Sequence, residues 1–304
     1  MAAQQNESPK EKELWNSLPS LQGIERGQTY FDLSLLAFEN GQHTRSLTLA
    51  ESACDCFLQC QDDLGYANCL TTVAFNLKEL NRMQEAIRTM VKAVIRYAKL
   101  EDQQEWEYRF YLAQWMADCE EHELAYLQFM KLLERSRYEG CAYGIAGASD
   151  NVAKTLCDLK RCDEAINYFK ESREILKREK EPAAVGITDI WIARCYNHLK
   201  DGLSALAYAQ KAISVFESTN ETLRRAQSHS QLGNALNNLG RYEEALTALD
   251  TAHKYVTGFK SIDFYAISTI QKGKIRALRG LGRESEAVEI ERRNATINEI
   301  LGKR

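Results

Sequence analysis

The sequence predicts an all-α fold, a superhelical solenoid of about seven helix-turn-helix repeats, and three observations carry that prediction. A small residue recurs at Ser46, Ala86, Ala125, Ala165, Ala205, Ala245 and Ala287, at intervals of 40, 39, 40, 40, 40 and 42 residues. A second series of small residues, Ser34, Ala74, Ala113, Ala153, Ala193 and Gly233, runs twelve positions ahead of the first. The chain of 304 residues also holds only 3 prolines, which suits long helices, because proline removes a backbone donor and clashes with the preceding turn.

Around both series the spacing is helical. Three positions after the leading small residues come Ala37, Leu77, Met116, Leu156, Tyr196 and Leu236, and four positions after the trailing ones come Ala50, Met90, Phe129, Phe169, Ala209 and Leu249. Such intervals put the residues on one buried stripe. Between the two stripes lie turn elements such as Leu80-Asn-Arg-Met, Leu159-Lys-Arg-Cys, Leu239-Gly-Arg-Tyr and Leu281-Gly-Arg-Glu. Each unit therefore reads as a helix, a tight turn and an antiparallel helix, with small residues allowing close approach and large ones filling the gaps.

Helices are predicted over 24–40, 43–60, 64–80, 83–100, 104–119, 122–138, 142–159, 162–178, 183–199, 202–218, 222–239, 242–257, 261–280 and 284–300. Residues 1–13 are polar and read as disordered. Leu14, Trp15, Leu18 and Leu21 cluster around Pro19, so residues 1–23 read as a polar leader that caps the first repeat, and 24–301 as the repeat domain. The sharper alternative makes the leader a tethered peptide in the protein's own groove. Glu291 and Asn294 stand where earlier copies are apolar, which reads as a C-terminal cap.

Ser230-Gln-Leu-Gly-Asn-Ala-Leu-Asn-Asn-Leu-Gly-Arg-Tyr-Glu-Glu-Ala-Leu246, continued by Leu249 and Ala252, resembles the helix-turn-helix signature of the tetratricopeptide repeat (TPR) family. The resemblance extends over about residues 24–301. The usual unit is about 34 residues, so forty implies longer helices, similar to Pins-type spindle-orientation adaptors and bacterial peptide-pheromone sensors. The helix-terminating proline of the ordinary unit is missing from nearly every copy, and the longer helix reads as its replacement. The resemblance implies a right-handed superhelix that binds an extended peptide or a partner helix in its concave groove. It implies a non-enzymatic adaptor or scaffold; the alternative is a peptide-sensing regulator resembling bacterial pheromone receptors.

It also implies which residues line the groove. The position after each leading small residue reads Leu35, Phe75, Gln114, Lys154, Arg194 and Asn234, with Phe31 and Phe110 four residues before Leu35 and Gln114. Phe31, Leu35, Phe38, Phe75 and Phe110 would receive apolar side chains in the N-terminal half, where Gln114 also lines the groove. Lys154, Arg194, Asn197, Asn234, Asn237 and Asn238 would hold a carboxylate and a peptide backbone in the C-terminal half. Asn234, in Leu-Gly-Asn, resembles the asparagine with which many family members grip a peptide. The clamp for a chaperone's terminal carboxylate needs a base four residues before the arginine, and here that residue is Ile190. The structural alternative is that these polar residues form a solvated surface.

Composition narrows the function classes. The net charge of −4 opposes a nucleic-acid-coating role. No apolar run is long enough for a membrane span, and the polar start has no secretory h-region, so the expected location is cytoplasmic. Nine cysteines without a C-x-x-C pair read as reduced packing thiols, Cys56 and Cys60 included, and not as a metal site. His43 and His122 share a repeat position usually used for interhelical packing. No nucleophile elbow, P-loop, metalloprotease or dinucleotide motif is present, so no catalytic residue and no cofactor is expected. Lys272, Lys274, Arg276, Arg279 and Arg283 read as a solvated basic face.

Overall fold

The computed structural model describes residues 8–257 and 264–302, in which there are fifteen α-helices and no strand. A short helix, α1 (Pro9–Ser17), precedes the helix pairs. These are α2 (Gly23–Glu39) with α3 (His43–Gln59), α4 (Asp63–Glu79) with α5 (Met83–Lys99), and α6 (Gln104–Asp118) with α7 (His122–Glu139). They continue as α8 (Ala142–Asp158) with α9 (Cys162–Arg178), α10 (Pro182–His198) with α11 (Gly202–Phe216), α12 (Thr222–Asn238) with α13 (Tyr242–Thr257), and α14 (Phe264–Gly280) with α15 (Glu284–Gly302). From residue 24 to 257 every predicted boundary falls within two residues of the observed one. The predicted start of the helix at 261 lies outside the described residues.

Each pair is closed by local backbone chemistry. After α2, Gly41 takes φ +70°, its N–H donates to the Phe38 carbonyl at 2.9 Å, and the Gln42 N–H donates to the Ala37 carbonyl at 2.8 Å. These two bonds make a Schellman motif, which satisfies carbonyls that the helix end leaves orphaned. A left-handed residue recurs at Gln61, Asn81, Glu101, Glu120, Gly140, Lys160, Lys180, Lys200, Gly240 and Gly282. The break that proline supplies in shorter units is thus supplied by this turn, and not by helix length as the sequence reading had it. The end of α11 is built differently. There the Arg225 guanidinium, reaching back from α12, donates to the Phe216 carbonyl at 2.9 Å, to that of Glu217 at 2.7 Å, and to that of Thr219.

The chain divides into two units, residues 1–132 and 133–304. In the first, Ser46 joins three helices: its hydroxyl donates to the Ser34 carbonyl at 2.7 Å and accepts from Asn76 Nδ2 at 2.8 Å. Tyr97, fully buried, stacks on Tyr108 at 5.3 Å and donates its hydroxyl to Asn68 Oδ1 at 2.6 Å. In the second, α10, α12 and α14 lie side by side, so residues of three successive first helices share one face. Every small residue of the trailing series, Ser46 to Ala287, is 0% exposed, which places both stripes in the contacts between helices.

Residues 9–13, read from sequence as disordered, are helical. Ser8 Oγ accepts from the Glu11 N–H at 3.1 Å, and the buried Glu11 carboxylate pairs with Arg45 at 2.7 Å. Leu14 and Trp15 pack on Leu33, Ala37 and Leu49, and the Arg45 guanidinium lies 5.8 Å from the Trp15 ring. Composition missed this helix because the partner of Glu11 lies in α3. Residues 1–7 of the same reading lie outside the described residues. Trp15→Ala should lower stability by roughly 1–3 kcal/mol, as expected for truncating a half-buried ring. Chemical denaturation of the full chain checks this, and an unchanged midpoint would detach α1 from the core.

A pH dependence follows from two half-buried histidines of the second unit. Burial pushes His229 and His253 below the ordinary imidazole value, and Lys274 adds to the effect at His253. Below pH about 6.5 the unfolded chain therefore takes up protons that the folded chain refuses, and stability is lost as pH falls through the folded values. Half-buried Asp150 and buried Asp189 are shifted upward and act in the opposite sense at lower pH, and His198 is lowered as well, so the mutant difference isolates the His229 and His253 imidazoles. The urea midpoint should drop between pH 7.5 and 5.5, and by less in His229→Gln/His253→Gln. Equal drops in both proteins would rule these two imidazoles out as the cause.

Candidate functional site

Trp191 organises the site. It follows Ile190 on α10, and its ring stacks on Phe169 of α9 at 5.9 Å and 18°. The Arg194 guanidinium lies 4.9 Å from the ring centroid, and Lys154 Nζ lies 5.8 Å from it. An aromatic face attracts cations through its quadrupole, so Trp191 draws both groups to one side of α10. Lys154 and Arg194 are thereby brought together as their forty-residue spacing suggested. The link between them is Trp191, which the sequence reading did not single out.

Beside Trp191 a mainly apolar cleft of about 90 Å³, open to solvent, is lined by Ile187 and Ile190 of α10, Ala226 of α12 and Ile270 of α14, together with Arg224 and Gln227. Ile190, the position where a chaperone clamp would need a base, is here part of an apolar wall. Ser230 also lines the cleft, and its Oγ lies buried behind the surface with no hydrogen-bond partner among the described residues. A buried hydroxyl without a partner is costly, and a polar ligand atom would satisfy it.

The cleft continues into a polar trough of about 490 Å³, and the two share Arg194, Gln231 and Thr269. Arg194, Lys200, Lys272 and Arg276 line the trough together with Asn234 and Asn238, and none of the lining residues is acidic. Four cations around one trough make a local positive field on a chain whose net charge is −4. The basic run of α14 thus divides. Lys274 pairs with Asp250 at 2.5 Å, Arg279 with Glu284 and Glu291, and Arg283 with Glu286, whereas Lys272 and Arg276 face the trough. Both of these residues are exposed, as a solvated face would have them, and both line the trough.

The remaining candidates are placed as follows. Asn234 lies on the trough wall, half-buried. Asn238 is there too, but its Oδ1 accepts from Arg276 at 2.8 Å and its Nδ2 donates to Asn197 at 3.1 Å. Asn197 is buried and donates to the Gln231 carbonyl and side chain, both at 3.0 Å. Asn237 is 2% exposed, is absent from the trough lining, and donates to the Gly273 carbonyl at 2.9 Å. Asn197 and Asn237 therefore tie α10, α12 and α14 together, and their amide N–H groups are engaged.

Phe31, Phe75, Phe110 and Gln114 belong to the first unit. Phe75 meets Tyr111 and Trp115 edge-on, each at 5.2 Å, and Phe110 meets Phe129 at 6.1 Å. Their rings are half-buried in helix packing. Phe31 is also half-buried, and Gln114 is exposed. His43 packs edge-on against Phe38 at 5.2 Å, as an interhelical residue should.

One cluster escaped the sequence reading. The Sγ atoms of Cys157, Cys162 and Cys195 all lie within 4.8 Å of one another, and those of Cys157 and Cys195 are 3.2 Å apart. The hydrogen bond with Cys195, helped by the nearby Arg194 guanidinium, holds the Cys157 thiol below its ordinary value against the effect of burial.

The geometry defines a helical-repeat protein of stacked antiparallel pairs with an apolar and cationic recess on its first helices. Family models described as tetratricopeptide repeat match residues 145–179 and 184–257, within the second unit. Comparison with curated proteins finds no match. Among solved structures, the apo form of RapI is similar over 97% of this chain and 80% of its own, at 16% identity and a TM-score of 0.75. Aspartyl phosphate phosphatase F from Bacillus subtilis is similar over 95% of this chain and 84% of its own, at 16% identity and a TM-score of 0.64. YrrB, described as a TPR protein with an unusual peptide-binding site, is similar over 67% of this chain and 93% of its own, at 15% identity and a TM-score of 0.51. At these identities the likeness is one of fold. No helix among the described residues is long and apolar enough to cross a membrane.

Proposed function

We propose that this chain is a non-enzymatic adaptor whose second unit binds an extended peptide carrying an apolar side chain next to a carboxylate. The observation that carries the reading is the continuity of the two recesses. An apolar cleft walled by Ile187, Ile190, Trp191 and Ile270 opens through Arg194 into a trough with four cations and no acid among its lining residues. The cleft would desolvate an apolar side chain, and the trough would take a carboxylate through charge-assisted hydrogen bonds. Asn234, on the trough wall, offers both a donor and an acceptor to a peptide backbone. Support also comes from YrrB, a protein of similar fold described as having a peptide-binding site.

Trp191 supplies the assay, since a ligand entering the cleft changes the surroundings of its indole. Peptides pairing a leucine or phenylalanine with an adjacent aspartate, glutamate or free C-terminus should quench or shift the tryptophan emission saturably. Their amide and lysine counterparts should not, and Trp191→Phe should lose the signal. Equal responses from acidic and basic peptides would reject the reading.

A further inference from the structure

We propose that Cys157, Cys162 and Cys195 form a three-sulfur site for monovalent copper, none of whose ligands lines the peptide recess. Cys157 lies at the C-terminus of α8 and Cys162 opens α9, with the tight turn at Lys160, φ 63°, folding one back over the other. Cys195, from the last turn of α10, closes the triangle. A metal about 2.3 Å from three sulfurs in one plane needs sulfur separations near 4 Å. The triangle, with one edge of 3.2 Å and none above 4.8 Å, brackets that value, so small side-chain rotations are enough to close it on an ion.

The donor set selects the ion. Among the described residues no histidine, carboxylate or further thiol joins the three sulfurs. Structural zinc takes four ligands, whereas a soft monovalent ion is satisfied by three thiolates. The surroundings suit the negative charge that thiolate ligation brings. Cys162 stands at the N-terminus of a seventeen-residue helix, where the backbone favours anions, and Arg194 adjoins Cys195. Cys195 is 0% exposed and Cys162 5%, while Cys157 is only partly covered and gives the ion an entry path. Loading replaces thiol protons by the metal, without oxidation of either: the protons pass to solvent as the copper–sulfur bonds form.

The test uses the full chain, reduced and free of oxygen, titrated with monovalent copper against a chromogenic copper chelator. One equivalent should be held against the chelator with a thiolate-to-copper charge-transfer band, and X-ray absorption should report three sulfurs at about 2.3 Å. Cys157→Ser should weaken retention by about 100-fold or more, while Cys141→Ser, outside the cluster, should leave it unchanged. Cys195→Ser should match Cys157→Ser if circular dichroism shows that it folds; Cys157, being partly exposed, carries the test if it does not. Unchanged retention in Cys157→Ser, two-sulfur coordination, or displacement of the copper by an equal concentration of zinc would each overturn the site.

Discussion

Gly233→Leu is expected to lose about 3 kcal/mol or more, the upper part of the range for overpacking a tight core contact. Gly233 is buried in α12 where that helix crosses α13. Even a single Cβ there would lie 2.5 Å from Leu249 Cγ, 2.9 Å from Leu249 Cδ2 and 3.1 Å from the Ala245 carbonyl oxygen. The leucine could rotate, but the carbonyl belongs to the backbone of α13, so the helices themselves must separate. Because repeats support only their neighbours, the damage should centre on this pair and broaden the unfolding transition. Gly147, exposed on α8 with nothing within 4 Å of its Cβ position, is the control: Gly147→Ala should be neutral or stabilising by roughly 0.5–1 kcal/mol. Denaturant titration of both variants decides, and a Gly233→Leu protein within about 0.5 kcal/mol of wild type would break the packing account.

The second large effect is on binding. Arg194→Ala should weaken an acidic peptide by about ten- to a hundredfold, which is the roughly 1.5–3 kcal/mol of a charge-assisted hydrogen bond. Arg194→Lys should recover only part of that, since an ammonium lacks the planar fork. Added salt should weaken wild type more than the alanine variant. Lys272→Ala should act in the same direction, whereas Arg283→Ala, whose partner is Glu286, should not. Isothermal titration with a peptide selected by the tryptophan assay measures all four. Wild-type affinity in Arg194→Ala/Lys272→Ala would move the ligand off this trough.

The helix pairs were legible in the sequence because close packing leaves few choices. Ala153, Ala165, Ala193 and Ala205 are all 0% exposed, and nothing larger fits without parting the helices, so the spacing is visible in the letters. Facing was harder to read. Asn237 and Asn238 are neighbours in sequence, yet about 100° of helix rotation separates them. One is buried against Gly273, and the other reaches Arg276 at the trough. The aromatic rings of Phe75 and Phe110 looked available because their partners, Tyr111, Trp115 and Phe129, come from other helices. The cysteine triangle was invisible for a related reason. Cys157, Cys162 and Cys195 occupy three different positions of the repeat, so no periodicity links them.

The turns have a consequence for how such a chain grows. At Gly41, Asn81, Lys160 and Lys200 the bonds that stop one helix run between residues no more than five apart. Each stop is complete within its own few residues and borrows nothing from the rest of the chain. A forty-residue stretch copied in tandem would bring both of its stops with it, and would dock on its parent through the same small-residue stripe. Lengthening by duplication then needs no new invention in the backbone. The seam that would resist copying is the one after α11, where the helix is ended by Arg225 from the following helix and a copy cut between them would leave the Phe216 and Glu217 carbonyls without that donor.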